Sequence, residues 1–331
     1  MDQNPTAPAP DRNPTGHDRT DLDPTDPDRT NRPAAPLTET VHPDWAAIDE
    51  LPTADLLRLM NTEDRTVPAA VAGQLERIAT VVDAVAGRMA RGGRLVYAGA
   101  GTAGRLGVLD AAECPPTFGT DPALVVALIA GGRPAVTEAA EGAEDRPELA
   151  GADVAALALT PADTLVGVSA SGRTPYAVAA VRAARAAGAL TVGLACNRGS
   201  ALVAAAELAV EVEVGPEVLA GSTRLKAGTA QKLVLNMLST AVMVRLGRTY
   251  GNLMVDVRVT NAKLRERARR IVAEATGADE EAVRHALTAT GGRAKDAILL
   301  LLADLDAPTA ARLLTAADGR LREALRAART G

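Results

Sequence analysis

Hydrophobic positions recur at helical spacing from Ala54 onward, in two stretches, about 54–61 and about 68–91. Pro68 near the start of the second and Gly92-Gly93 just past its end are typical boundary residues. Beyond Gly93 the pattern changes to short apolar runs: RLVYA (94–98), LVVALIA (124–130), TLVGVS (164–169), LTVGLA (190–195) and LAVEVEV (208–214). Gly, Ser or Thr follow most of them, and helical stretches lie between. Four of the five runs are apolar nearly throughout, as suits strands buried on both faces of a parallel sheet. The alternation predicts an α/β fold: a doubly wound, parallel five-stranded sheet over about 68–248, with ligands at the carboxyl ends of the strands. A largely apolar helix over 223–247 comes next, suited to burial or to a subunit interface. Residues 279–328 read as three or four short amphipathic helices, punctuated by Gly291-Gly292, Pro308 and Gly319, forming a small C-terminal helical appendage. The Arg265, Arg267, Arg269 and Arg270 cluster reads as a solvated helix face.

The amino end has a different character. Residues 1–36 hold eight of the twenty prolines, and Leu22 is their only large aliphatic side chain. Such a segment buries too little apolar surface to offset its ordering entropy and is expected to be disordered. Four regions follow: a 1–36 Asp/Pro-rich tail, a 37–67 extension with a helix, the 68–248 α/β domain and a 249–331 helical region.

Charge and composition narrow the function classes. Of the net charge of −5, the tail alone carries −3, with seven Asp against four Arg. A near-neutral body offers no basic face for nucleic acid. Five aromatics, Trp45, Tyr97, Phe118, Tyr176 and Tyr250, make no base-stacking platform. His17, His42 and His285 are too scattered for a local zinc cluster, so no metal is expected. Two cysteines, Cys114 and Cys196, give no disulfide framework and suit a reduced compartment. With no run approaching 18 apolar residues and no basic-then-apolar start, the chain is expected in the cytoplasm, off the membrane.

The chemistry is concentrated in the loops after the strands. The first strand runs into Gly99-Ala-Gly101-Thr-Ala-Gly104, a literal G-x-G-x-x-G. A dinucleotide fingerprint also needs an acid at the end of the second strand, and that strand ends in Ala130-Gly131-Gly132 instead. What remains is a Gly-rich turn and helix start able to hold a phosphate or another anion. The third strand ends in SASGRTPY, where Ser169, Ser171 and Thr174 either cap the next helix or cradle a phosphate monoester. After the fifth strand, Ser222, Thr223, Arg224 and Lys226 form either a capped helix start with exposed charges or a third wall of the same site. Glu113 and Glu144 are carboxylates that spacing alone leaves on the surface.

These strings have a familiar form. YAGAGTAGRLGVLDAAECPPTFG, EGAEDRPELAG, SASGRTPY, GPEVLAGSTRLKAGTAQKLVLNMLSTAVM and YGNLMVDVRVTNAKL together resemble the N-acetylmuramic acid 6-phosphate etherases, a sugar-isomerase-type (SIS) family, over about residues 48–328. Two positions depart from that family: Ala103 stands where the first loop usually has Ser, and Thr38-Glu39-Thr40-Val41-His42 lacks the Arg-Asn pair of the family's T-E-x-R-N stretch. The resemblance implies a SIS-type αβα sandwich and a cofactor-free lyase that releases D-lactate from N-acetylmuramic acid 6-phosphate by elimination and water addition. It implies Glu113 as the acid at the departing ether oxygen and Glu144 as the base at carbon 2. Thr102, Ser169, Ser171, Thr174 and Ser222 would hold the phosphate and sugar hydroxyls. It also implies a homodimer with the site near the subunit interface, so that the two Glu can come from different subunits. A non-catalytic phosphosugar-binding regulator and an aldose–ketose isomerase are the alternatives on the same fold.

Overall fold

In the computed structural model, which describes residues 36–257 and 262–330, the chain enters through three single 3-10 turns, Leu37–Glu39, Pro43–Trp45 and Ile48–Glu50. The tail expected to be disordered lies, except for Pro36, outside the described residues. Helices α1 (Thr53–Asp64), α2 (Val67–Ala72) and α3 (Leu75–Met89) follow. The single helix expected over about 68–91 is therefore two. The break falls at Gly73 and Gln74, where α2 closes on its last carbonyls and Gln74 leaves helical geometry at φ −113°, ψ 3°.

Strand and helix then alternate: β1 (Leu95–Gly99), α4 (Gly101–Phe118), β2 (Val125–Ile129), α5 (Pro147–Ala156), β3 (Thr164–Ser169), α6 (Pro175–Ala186), β4 (Leu190–Ala195), α7 (Ala201–Ala205), β5 (Leu208–Glu211) and α8 (Lys226–Arg245). Every pairing is parallel, in the order β2-β1-β3-β4-β5, with Leu95 beside both Val125 and Thr164. This is the doubly wound fold that the alternation predicted. β1, β3 and β4 are buried throughout, whereas the edge strands β2 and β5 are only partly covered. β5 stops at Glu211, short of the expected 214, because β4 has already ended at Ala195 and offers no further partner.

Side chains alternate across the sheet as the pleat demands. Leu95, Tyr97, Val166, Val168, Val192 and Leu194 share one core with α3, α4 and α8, while Val96, Ala98 and Leu165 pack on Tyr176, Val181 and Ala150 on the other face. On α3 the stripe Ile78, Val81, Val82, Val85 and Met89 is buried, each larger aliphatic contributing about 1.5–3 kcal/mol. Gly104 explains part of the Gly-rich turn. A Cβ there would lie 2.6 Å from Ile129 Cγ1 and 2.8 Å from the Gly99 carbonyl oxygen, so only glycine lets α4 begin this close to β1.

A short hairpin, β6 (Thr249–Tyr250) with β7 (Leu253–Met254), leads to α9 (Ala262–Thr276), α10 (Glu280–Ala289), α11 (Ala294–Ala303), α12 (Ala307–Ala316) and α13 (Leu321–Thr330). These helices bury a core of their own around Val272, Ile298, Leu299, Leu314 and Leu321. Buried Lys295 joins the surrounding segments, donating to Asp256 Oδ2 (2.6 Å), Gly319 O (2.9 Å) and Gly247 O (3.1 Å). Burial lowers its pKa, and the Asp256 carboxylate opposes that shift. Arg265, Arg269 and Arg270 are exposed and Arg267 half-buried, as a solvated face requires. No helix among the described residues is long and apolar enough to cross a membrane.

Candidate active site

The sheet order places β1 and β3 side by side while the helices that follow them pack on opposite faces. Such a switch point opens a crevice at the carboxyl ends of the two strands. A cleft of about 460 Å³ lies there. From the β1–α4 turn it takes Ala100, Gly101, Thr102 and Ala103; from the β3–α6 turn, Ser169, Ala170, Ser171, Arg173, Thr174 and Pro175.

The β3–α6 turn is organised around one hydroxyl. Ser169 Oγ, buried, accepts the Gly172 N–H (3.0 Å) and hydrogen-bonds Thr174 Oγ1 (2.8 Å), with Ser171 Oγ at 3.4 Å. Ser171 Oγ in turn accepts the Arg173 N–H (3.1 Å). Gly172 has φ +66°, and a Cβ there would collide with the Ser200 side chain, so the tight turn needs glycine. Thr174 is the N-cap residue of α6, yet its side chain makes no capping bond. The hydroxyls therefore do not cap α6; Ser169 and Ser171 instead satisfy amides of the turn before it. α4 also starts without a side-chain cap, so the amides of its first turn, which lines the cleft, favour an anion.

Glu144 and Asp145 form the next wall, on a 3-10 turn, Ala143–Asp145. Arg105 of α4 staples the preceding segment, donating from Nε to Val136 O (3.1 Å) and from Nη2 to Glu138 O (2.8 Å). Glu144 also borders an adjoining cavity of about 160 Å³. Its carboxylate is thus exposed on the ridge between the two spaces.

Gly221 and Thr223 supply the third wall. The buried Glu217 carboxylate holds the base of their loop, accepting the N–H groups of Lys226 and Ala227, both at 2.9 Å. Burial raises the Glu217 pKa, and these two N–H groups act against the rise. Lys226 does not face the cleft: its ammonium is buried, 2.8 Å from Glu63 of α1 and 5.4 Å above the Trp45 ring. Arg224 is exposed and outside the lining. The wall is there, but neither cation considered for it faces the ligand space.

The amino-terminal strap closes the cleft. Thr38 is fully buried, accepting Asn197 Nδ2 on its hydroxyl (3.1 Å) and the Gly221 N–H on its carbonyl (3.2 Å). Asn197 Nδ2 also donates to Ala170 O (2.9 Å), so one amide ties the strap to the β3 loop. Glu39 consequently lines the cleft, while His42, in the stretch without the Arg-Asn pair, stacks on Trp45 at 4.1 Å. Ala103 borders the cleft and is itself buried in the core shared with α8.

The structure thus gathers Thr102, Glu144, Ser169, Ser171 and Thr174 into one cleft. Ser222 is not among the lining residues, although its neighbours Gly221 and Thr223 are. Glu113 lies elsewhere: it is exposed on α4, and a rise of 1.5 Å per residue puts it about 18 Å along the axis from Gly101. Leu109, one turn earlier, is 51% exposed, and Met237 and Val244 are exposed on the adjacent α8. Inside that region Asp110 is buried, accepting Tyr97 Oη (2.7 Å), Asn236 Nδ2 (2.7 Å) and Ser239 Oγ (3.0 Å). Burial raises its pKa, and the three donors oppose the rise. Burial also pushes both thiols, Cys114 and Cys196, up to about 12, which removes them as nucleophiles.

Glu39, Arg173 and Gln231 line the cleft without having been singled out as site residues in the sequence. Arg173 sits inside the SASGRTPY motif, between two residues that were. Gln231 had a weaker signal, as a polar residue on the apolar stripe of α8.

The sequence model of the SIS domain matches residues 146–241, and that of the glucokinase regulatory protein N-terminal SIS domain matches 77–185. Among solved structures, a phosphoheptose isomerase from Francisella tularensis is 15% identical with a TM-score of 0.43, over 58% of this chain and 98% of that one. The N-acetylmuramic acid 6-phosphate etherase of Streptomyces coelicolor is 68% identical over 291 residues, 88% of this chain and 94% of the relative. That of Rubrobacter xylanophilus is 58% identical, over 87% and 95%. The etherase of Pectobacterium atrosepticum is 53% identical, again over 87% and 95%. With identity this high along nearly the whole length of each relative, the chain belongs to the N-acetylmuramic acid 6-phosphate etherase family.

Proposed function

We propose that the chain cleaves the D-lactyl ether of N-acetylmuramic acid 6-phosphate, giving N-acetylglucosamine 6-phosphate and D-lactate in the recovery of cell-wall amino sugar. The observation that carries this reading is the cleft itself: a hydroxyl cradle between two helix N-termini, with Glu144 on its rim, in a chain whose full-length relatives are etherases. The 68–248 segment is the SIS-type sugar-phosphate domain in this reading, and 249–331 its helical appendage.

Thr102, Ser169, Ser171 and Thr174 hold the phosphate and sugar hydroxyls, with the free amides at the start of α4 facing the anion. The open-chain aldehyde makes the proton on carbon 2 acidic. Glu144 removes that proton, the carbon 3–oxygen bond breaks, and Glu113 protonates the departing lactate oxygen. Glu113 then takes a proton from water as the oxygen adds to carbon 3, and Glu144 returns the proton to carbon 2. Every atom and proton balances with water as the only co-reactant.

The distance between Glu113 and the cleft of its own chain supports a shared site, in which a partner subunit supplies Glu113. Exposed apolar side chains on the same packed pair of helices, Leu109 on α4 and Met237 and Val244 on α8, suit a surface covered by a second copy. The chain would then work as a cytoplasmic homodimer. The regulator alternative is less well supported: the regulatory-protein model spans only 77–185, whereas the etherase relatives span 84–88% of the chain.

The test is to incubate the protein with N-acetylmuramic acid 6-phosphate in oxygen-18 water. D-Lactate release with the heavy oxygen on carbon 3 of the sugar is the expected result. Saturable binding of the substrate without lactate would return the chain to the sensor class. In a parallel run in deuterated water, carbon 2 hydrogen exchange without lactate would make it an isomerase.

A further inference from the structure

Gln231 stands in the second turn of α8, on the stripe that buries Ala227, Ala230, Val234, Leu235 and Leu238, and is itself only 1% exposed. Its side-chain Nε2 is almost wholly covered and has no hydrogen-bond partner. Seven buried side-chain nitrogen or oxygen atoms among the described residues share that condition, and only Gln231's belongs to a residue lining the cleft. An apolar side chain would fill the stripe without leaving a donor unmet, so an unpaired amide here is a cost to the free protein. A ligand that brings an acceptor removes that cost.

The surroundings narrow the ligand group. One turn earlier on α8, Gly228 packs against Thr102: a Cβ there would lie 3.4 Å from Thr102 Cγ2 and from the Thr223 carbonyl oxygen. Gln231 thus follows Thr102 and Thr223 along one wall, while the hydroxyl cluster and the start of α6 lie on the β3 side. The hydroxyls on that side suit the charged phosphate, whereas a neutral amide suits an uncharged oxygen of the sugar or of its acetamido group.

We propose that Gln231 is a specificity-determining substrate-binding residue, whose amide N–H donates to an uncharged oxygen of the bound amino-sugar phosphate. The inference rests on the sugar-phosphate reading of the cleft and deepens it.

The test compares wild type with Gln231→Met, which keeps the length and apolar volume but removes the amide. The readouts are the Tm of the ligand-free protein and the affinities for N-acetylglucosamine 6-phosphate and for inorganic phosphate, measured well below either Tm. The expected result is an unchanged or raised Tm, sugar-phosphate affinity weakened about tenfold or more, and phosphate affinity unchanged. Unchanged sugar-phosphate affinity overturns the proposal, whatever happens to the Tm. So does a loss of affinity accompanied by a Tm lowered by several degrees, which marks a structural amide. An equal loss for inorganic phosphate overturns the assignment to a sugar oxygen. Binding is read without turnover, so a wild type that binds the sugar phosphate but releases no lactate ends the etherase reading and leaves this comparison standing. A wild type that binds no sugar phosphate overturns both.

Discussion

Replacing Asp163 by Asn isolates the stability of the sheet from the chemistry of the cleft. Asp163 immediately precedes β3 and is 2% exposed. Its Oδ1 accepts from Arg94 N (2.7 Å) and Nε (3.0 Å), and its Oδ2 from Arg94 Nη2 (3.0 Å), Thr160 N (2.7 Å) and Thr160 Oγ1 (3.1 Å). Burial disfavours the charge, but the hydrogen bonds from Arg94 and Thr160 and the guanidinium charge outweigh it, leaving a pKa of about 2 against 3.8 for a free Asp. At 1.36 kcal/mol per unit, ionisation contributes about 2 kcal/mol to folding. Because the folded-state pKa is the lower one, that contribution is complete above the unfolded value. It is lost as pH falls through the folded value, and about half remains at pH 3. Asn keeps one acceptor and turns an NH₂ toward donors, so Asp163→Asn is expected to lose about 2–4 kcal/mol at pH 7. Urea unfolding followed by circular dichroism at pH 7, 5 and 3 measures the gap, which should narrow by about 1 kcal/mol at pH 3. The pair lies at the amino ends of β1 and β3, away from the cleft, so KM should not move. A gap independent of pH, or no gap at all, would refute the reasoning.

Two further outcomes are expected. Asp110→Ala strands three donors from β1 and α8 and should cost about 3 kcal/mol in thermal unfolding. Asp110→Asn, which keeps acceptors for Asn236 and Ser239 and removes a charge that burial disfavours, should cost under about 1 kcal/mol. A result in which the two variants are equally unstable would remove the hydrogen bonds as the reason for that carboxyl. Ser169→Ala takes away the hydroxyl that joins Thr174 and Gly172, and in a lactate-release assay KM should rise about tenfold with a smaller change in kcat. An unchanged KM would take Ser169 out of the binding cradle.

Local chemistry made part of the structure readable. The runs at 94–98, 164–169 and 190–195 became β1, β3 and β4 because central strands of a parallel sheet are apolar on both faces. Ser169, Ser171 and Thr174 were readable as one hydroxyl cluster because they are close in sequence. Distance along the chain hid the rest. Thr38 reaches its place only through Asn197, and Lys226 is neutralised by Glu63, so no local pattern announces either. The break at Gly73 and the short β6–β7 hairpin are decided by packing, not periodicity. Gln231 shows only as a polar residue on an apolar stripe, which becomes informative once its neighbours are known. Glu113 is the sharpest case: the motif that carries it is plain, yet one chain alone leaves it about 18 Å from the start of its helix.

The shared site is tested most directly by subunit mixing. Glu113→Gln and Glu144→Gln, each purified alone, should be folded and nearly inactive. After the two are mixed and allowed to exchange subunits, half of the dimers are mixed, and each mixed dimer holds one intact site. Lactate release should then recover to about a quarter of the wild-type rate. A mixture that stays as inactive as its components would contradict a cleft completed by the partner subunit's Glu113.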